Sequence, residues 1–363
     1  MKLIRKNELT LKEYILMIYG AQLGTGILTL PRALAEKAGT DGWMVIPVCF
    51  VFSTLSSICF VKISQKFPNY TFKEILVKLF GKIIGNIIIL SYIIYFIIYT
   101  WIILIYGMLY IKGALLPKTP DYLIIILFLI PTFIIVRGKI NLVGIYCELI
   151  FYMSICIILL FLVPLKSGNL LHIMPLFKRD ILTILSALPI MVFPFTGFEI
   201  IAFMHPYLKK KNYAIRGVVI ANSITMTIYL FITMICFLCF SPDEIIFYNQ
   251  PVLTILKIIE VSFLERFDLI IVTLYLFIVF TSWTSYTYIT LLGYSQMFKK
   301  TKLLYPTLCL FFLFIMLTYI IHPSWEQTDK FKWFITKIAI ITAYLMPVLL
   351  LAVINIRRKL FSK

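Results

Sequence analysis

Two short stretches bring together residues whose chemistry lies in the backbone rather than in a catalytic side chain. In "QLGTGILTLPR", residues 22 to 32, Gly24, Thr25 and Gly26 precede Ile27, and Pro31 follows. In "VFPFTGFEII", residues 192 to 201, Pro194 and Gly197 flank Phe195 and Thr196, and Glu199 comes two residues after the glycine. Glycine and proline are poor material for an uninterrupted helix. Unwinding at such a place frees amides at the start of one half-helix and carbonyls at the end of the other. The amide end favours a carboxylate, and the carbonyl end a cation or an amine. A zwitterionic amino acid fits that pair.

What surrounds these stretches follows from composition. Of 363 residues, 61% are apolar, 16% aromatic and only 14% charged, with a mean hydropathy of +0.99. No water-soluble domain of this length has that balance, so the chain is an integral membrane protein. A hydrocarbon core takes ~20 apolar residues as helix, and a span must satisfy its own backbone hydrogen bonds. Barrel strands would alternate apolar and polar residues, whereas these runs are apolar on all sides. The spacing predicts ten helices at roughly 11–34, 42–62, 83–113, 121–137, 143–164, 181–204, 215–240, 269–297, 303–321 and 332–356. They form one all-α transmembrane domain over 1–363. The first follows a short basic segment without a small-residue cleavage site and is read as retained.

Orientation follows from Lys and Arg, because basic loops resist translocation. With both termini cytoplasmic, the inner segments carry 22 basic residues and the outer ones 12. The net charge of +18 is thereby explained by topology and attraction to anionic lipid. A nucleic-acid reading would need a soluble basic domain, and none is present. In the inner loop, Phe72, Ile75, Leu76, Leu79 and Ile83 share one helical face, which predicts a short helix on the inner surface. The outer loop 241–268 holds an apolar-periodic piece from Val252 to Phe263, read as a helical cap over an outward opening.

Gly24 lies about 13 residues into its span, ~20 Å deep, near the midplane. The second break falls in mid-span of the sixth helix. The first and sixth helices open two halves of five, about 11–164 and 181–356, and because five is odd the halves run in opposite orientations. Broken helices at matching places in inverted halves point to a midplane site in secondary transporters. The competing explanation is that glycine lets neighbouring helices approach closely.

Other chemistry is excluded or left open. The seven cysteines all fall within spans; only Cys236 and Cys239 are spaced C-x-x-C, with no second pair or nearby histidine to complete a metal site. No nucleotide loop, nucleophile elbow or zinc motif occurs, so neither an enzyme, a cofactor nor a metal is expected. Glu148 and Glu199 are the acids placed inside spans, where ionisable groups are costly unless paired or lining a polar path. Glu199 either caps the second half of the sixth helix or serves a ligand or ion. In "FTSWTSYTY" of the eighth helix, Thr281 and Ser285 are one turn apart. They either bond their own carbonyls or supply oxygens to a cation.

"GAQLGTGILTLPRALAEKAGTDGW", "KISQKFPNYTFKEILVKLFGKIIG" and "FPFTGFEI" together resemble the B subunits of bacterial endospore germinant receptors, the spore germination permeases. The first-helix glycines alone are shared widely among amino acid, polyamine and organocation transporters; the combination is more specific. The resemblance covers essentially the whole chain. It implies a LeuT-like fold of five plus five helices, a spore inner-membrane location, A and C subunit partners, and recognition of a small germinant, often an amino acid. A LeuT-like arrangement also implies that Glu148 lies near the hydroxyls of the eighth helix and manages a monovalent cation or proton there. Germinant receptor subunit, proton- or sodium-coupled amino acid transporter and ligand-gated cation channel all use one pocket chemistry, and the residues alone leave the three open.

The basic split predicts that Lys62 to Lys82, Lys209 to Lys211 and Lys299 to Lys302 are cytoplasmic. Single cysteines introduced there should resist membrane-impermeant thiol reagents applied outside; labelling of all three loops would invert the topology.

Overall fold

The computed structural model describes residues 8–257, 267–298 and 303–361. The loop at 299–302, and the outer piece beyond Lys257, lie outside the described residues. The first crossing is split into α1 (Leu11–Gln22) and α2 (Gly26–Ala38). After a 3-10 turn come α3 (Val45–Lys66), α4 (Phe72–Ala114), α5 (Asp121–Val136) and α6 (Ile140–Leu160). The sixth crossing is assembled from the short helices α7 (Ile181–Leu185), α8 (Leu188–Phe195) and α9 (Ile201–Met204). Then follow α10 (Ala214–Cys239), α11 (Glu244–Phe247), α12 (Pro251–Lys257), α13 (Phe267–Phe298), α14 (Leu304–Ile321), α15 (Trp325–Ala339) and, after a π-helical turn over Ile340–Leu345, α16 (Met346–Phe361).

Among the described residues, seven helical stretches are long and apolar enough to cross a membrane, with Gly26–Lys66 taken as one; the pair Ile181–Phe195 and Phe198–Tyr207, bent by 51°, makes eight. The side chains are sorted for lipid. Phe52, Leu55, Ile130, Ile134, Leu149, Phe312 and Leu349 face outward, while Ser53, Ser57, Asn222, Thr225, Glu199, Ser282, Thr284 and Ser285 are buried. A water-soluble domain distributes them the other way. This is a multi-pass membrane protein.

α1 lies at the centre, packed against α6, α10 and α13, and α4 packs along α13. At the end of the molecule that carries the N-terminus, the Leu9 amide donates to Tyr207 O at 2.8 Å and the Lys209 amide to Leu9 O at 3.0 Å. The chain before α1 is thereby tied to the end of the sixth crossing.

The expected inner-surface helix exists, but as the first arm of α4. Thr71 and Glu74 form a capping box at its start. The chain turns at Gly81, whose φ of +81° suits glycine. Phe72, Ile75, Leu76 and Leu79 are buried in protein rather than laid on lipid; the Phe72 ring centre is 5.2 Å from that of Phe203 and 5.4 Å from that of Tyr92. Ile83, beyond the turn, leaves that face and is 78% exposed. The Lys73 ammonium donates to Met297 O at 2.8 Å, capping the end of α13. The last crossing begins at Trp325, earlier than the apolar run suggests, because Ser324 and Gln327 form a capping box ahead of a polar first turn.

The two breaks touch at Gly197, whose φ is +131° and whose added Cβ would lie 2.7 Å from both Ala21 C and Gln22 N. Gly197→Ala is therefore expected to cost roughly 3 kcal/mol or more, read as a lowered unfolding temperature of the purified protein. An unchanged unfolding temperature would mean that the sixth crossing can repack away from the first.

Candidate functional site

The break in the first crossing occupies Leu23, Gly24 and Thr25, and hydroxyls from two other helices meet its carbonyls. Ser282 Oγ donates to Gly20 O at 2.8 Å and lies 3.2 Å from Leu23 O. Tyr275 donates to Gly24 O at 2.8 Å. The Tyr229 hydroxyl is shared between Gln22 O at 2.8 Å and Pro194 O, in the sixth crossing, at 2.9 Å. Gln22 completes the stitch: its amide nitrogen donates to Phe195 O at 2.9 Å and to Asn222 Oδ1 at 2.8 Å, and its oxygen accepts from Thr225 at 2.7 Å.

On the other side, Thr196 ends α8 by donating to Val192 O and Phe193 O, both at 2.8 Å. Tyr99 donates to Phe193 O at 3.0 Å and lies 3.2 Å from Thr196 Oγ1. Glu199 is wholly buried and folds back onto the start of its own half-helix. Its Oε2 accepts the Gly197 amide at 2.8 Å, and its Oε1 accepts Tyr286 at 2.7 Å and Tyr95 at 3.0 Å. Three donors on two oxygens, with the half-helix N-terminus beside them, are what a desolvated carboxylate needs.

Gly24, Thr25, Gly26, Ile27, Phe195, Thr196 and Gly197 are all buried at the facing breaks. They are in contact: a Cβ on Gly26 would sit 3.1 Å from Pro194 Cγ, and one on Gly24 2.9 Å from Ser282 Oγ. Thr25 is 3% exposed, yet its hydroxyl has no hydrogen-bond partner among the described residues. The first amides of α2, at Gly26 and Ile27, follow directly, and such amides have no partner within their own helix. Beside them, carbonyls of Gly20, Leu23 and Ile278 converge with the hydroxyls of Thr281 and Ser282; Thr281 Oγ1 is 2.6 Å from Ile278 O and 3.1 Å from Gly20 O. This is an all-oxygen cluster of the kind hard cations use.

The sequence profile described as "Spore germination protein", that of the spore permeases, matches residues 8–331. The chain belongs to the spore germination permease family. It is 26% identical to spore germination protein YndE of Bacillus subtilis (strain 168) over 361 residues, covering 97% of this chain and 98% of that one. Against spore germination protein B2 of the same organism it is 27% identical over 296 residues, covering 80% and 78%. Spore germination protein GerQB of Bacillus cereus is 27% identical over 312 residues, covering 83% of each chain. Among solved structures it resembles MhsT in complex with L-phenylalanine, with a TM-score of 0.64, 14% identity, and coverage of 94% of this chain and 87% of that one. That likeness establishes a LeuT-like fold.

In this spore germination permease the expected ion residues do not form one cluster. Thr281 reaches the first break, but Ser285, a turn further on, faces Cys147, with 3.6 Å between sulfur and oxygen. The expected nearness of Glu148 to these hydroxyls is not found. Its neighbour Cys147 takes the position facing α13, and Glu148, about 100° further round the helix, pairs with Lys12 of α1 at 2.8 Å. Gln22, Tyr95, Tyr229, Tyr275 and Tyr286 were not anticipated, and Ser282 was marked only as one hydroxyl of the eighth-helix stretch. A glutamine inside an apolar run one residue before the break was the available signal for Gln22, because a primary amide at that depth must be hydrogen-bonded. The tyrosines carry no such mark among 22 in the chain.

The three donors on Glu199 make a test. Glu199→Gln keeps the shape but turns one acceptor into an NH₂ group, which sets donor against donor. Its cost should be about 1–3 kcal/mol, above the ~0.5–1.5 kcal/mol of Tyr286→Phe. Thermal unfolding in detergent orders the two; a smaller loss for Glu199→Gln would show that no carboxylate is required there.

Proposed function

We propose that this chain is a germinant-sensing, permease-like subunit of an endospore germination receptor. It binds a small germinant, an amino acid, at the membrane midplane. The observation that carries this is the pair of facing breaks stitched by Gln22, with the Thr25 hydroxyl left without a partner among the described residues, beside the first amides of α2. In this reading the germinant carboxylate sits on the backbone around Gly24, Thr25, Gly26 and Ile27. Phe195, Thr196 and Gly197 face it, and Glu199 lies within the same wall to receive the ammonium. Because the breaks are in contact, binding requires them to part, and the response is a shift between two packings. The chain would cross the membrane ten times, in inverted halves of about 11–164 and 181–356, with α5 and the split first crossing added to the eight long ones. Both termini would be cytoplasmic, in the spore inner membrane, with A and C subunits as partners receiving the shift.

One observation favours a second reading, cation-coupled amino acid transport: the oxygen cluster of Gly20, Leu23, Ile278, Thr281 and Ser282. Ser285 and Glu148 would then modulate that site from the next turn and from the inner end of α6. Labelled amino acid flux into proteoliposomes separates the readings, since binding without concentrative uptake belongs to a receptor.

Gly26→Val tests the binding site itself. Its branched side chain would push directly into Pro194, and the germinant response of spores carrying it as sole receptor should be lost at unchanged protein abundance. A normal response would reduce the first break to a packing device.

A further inference from the structure

The end of the molecule that carries the N-terminus holds an open cleft of about 420 Å³, walled by Thr10 and Leu11 at the start of α1 and by Lys209, Lys210, Tyr213 and Arg216 leading into α10. Lys209, Lys210 and Arg216 are exposed, and none of the three forms an ion pair among the described residues. The charges around them are engaged elsewhere. Lys12 pairs with Glu148 at 2.8 Å, and the Lys211 ammonium donates to Pro68 O at 2.9 Å. Glu13, 1% exposed, turns its Oε2 back to the Thr10 amide at 2.9 Å. Glu8, exposed one residue before Leu9, pairs with none of the three among the described residues.

Three cations gathered without a counter-ion repel one another, and α10 adds to the imbalance. This helix of 26 residues begins with no side-chain cap and no acid in its first turn, and Arg216 is its third residue. The start of a helix carries unpaired amides and partial positive charge, which favours an anion and disfavours a cation. A basic loop kept on one side of a membrane accounts for the number of lysines. It does not account for their meeting Arg216 around a cleft whose far wall is the start of α1. The apolar crossing that contains α10 begins at Lys211, so the cleft lies where the span meets water, at the level of lipid phosphates. Tyr213, 48% exposed, supplies the amphipathic ring common at that level.

We propose that this cleft binds the phosphate of an anionic phospholipid, with Lys209, Lys210 and Arg216 as its counter-ions. Basic pockets beside transmembrane helices take lipid headgroups on the same physical ground. The half-buried Leu11 and the exposed Tyr213 ring give the cleft an apolar edge, which suits a lipid and offers nothing to free phosphate. The site also bridges the two sides of the seam. Lys209 gives its amide to Leu9 O at 3.0 Å, and Thr10 follows Leu9 directly. An anion held between both walls resists their separation, so bound lipid stabilises this end of the molecule in its closed packing.

The test uses purified full-length protein in detergent, titrated with phosphatidylglycerol, with phosphatidylcholine of the same acyl chains, or with inorganic phosphate. Phosphatidylglycerol should raise the unfolding temperature saturably, and neither of the others should match it at equal concentration. Lys210→Gln combined with Arg216→Gln should move the midpoint to concentrations about tenfold higher or more, as loss of two phosphate-facing cations does, whereas Lys210→Arg keeps it. Lys62→Gln combined with Lys139→Gln removes the same charge from exposed positions outside the cleft and should leave the midpoint unchanged. Native mass spectrometry gives a readout independent of stability: from an equimolar mixture of the two lipids the wild type should retain phosphatidylglycerol in preference. The proposal is overturned by equal stabilisation or equal retention with phosphatidylcholine, by a full effect of inorganic phosphate, by an unchanged midpoint in the Lys210 and Arg216 variant, or by an equal shift in the Lys62 and Lys139 variant.

Discussion

Backbone polar groups in a membrane have no water to fall back on, and every unusual feature at the centre of this protein answers to that. The first break leaves the carbonyls of Gly20, Gln22, Leu23 and Gly24 outside a regular helical ladder. Each such group, if unmet, costs roughly 1–3 kcal/mol. Four of them would rival a net stability of ~5–15 kcal/mol. The hydroxyls of Ser282, Tyr229 and Tyr275 therefore have to be where they are. Placing them fixes how α10 and α13 pack around α1. The break is a condition on the whole bundle rather than a local fault in one helix.

The same donors also join the two breaks. Tyr229 is shared between Gln22 O and Pro194 O, and the Gln22 side chain reaches across to Phe195 O. A germinant entering between the breaks, as proposed, would compete with these bonds for the same groups. On that proposal, the difference between closed and parted states would be one between two hydrogen-bonded arrangements, which a ligand shifts only by its differential affinity for them. Glu199 fits this logic. With Tyr95, Tyr286 and the Gly197 amide all donating to it, it fixes the sixth crossing to α4 and α13, and a ligand ammonium would draw on a carboxylate that already binds three elements together.

Much of this was legible in the sequence because the responsible residues are of special type. Gly24, Gly26, Pro194 and Gly197 mark the breaks, and the apolar runs mark the spans to within a few residues at most ends. The partners were not legible, because they obey no local pattern. Tyr229 and Tyr275 are ordinary members of apolar helices, and only tertiary packing tells a tyrosine that caps a broken helix from one that faces lipid. The amphipathic face around Leu76 was read correctly as a helix and wrongly as lipid-facing, since periodicity reports that one side is buried but not against what. Glu148 failed for the same reason in a sharper form: its depth followed from counting residues, but its direction depended on helical phase, and one position decides between Cys147 facing α13 and Glu148 facing Lys12.

That pairing gives Glu148 a different task from the one its depth suggested. Lys12 is on the second residue of α1, and Leu9, three residues earlier, is bonded to Tyr207 and Lys209 at the end of the sixth crossing. The end of the molecule that carries the N-terminus is thus held by two backbone hydrogen bonds and one ion pair, all of which involve the chain around the start of α1. Among the described residues the opposite end has no equivalent seam between α2 and α15 and opens as a charged cavity. The Lys12 and Glu148 side chains are 53% and 30% exposed, so their attraction is screened and contributes little by itself. Its value lies in geometry: α1 cannot swing away from α6 and the sixth crossing without breaking the ion pair and both backbone bonds together. A cooperative seam on one side and an open cavity on the other bias the bundle toward parting first at the end away from the N-terminus.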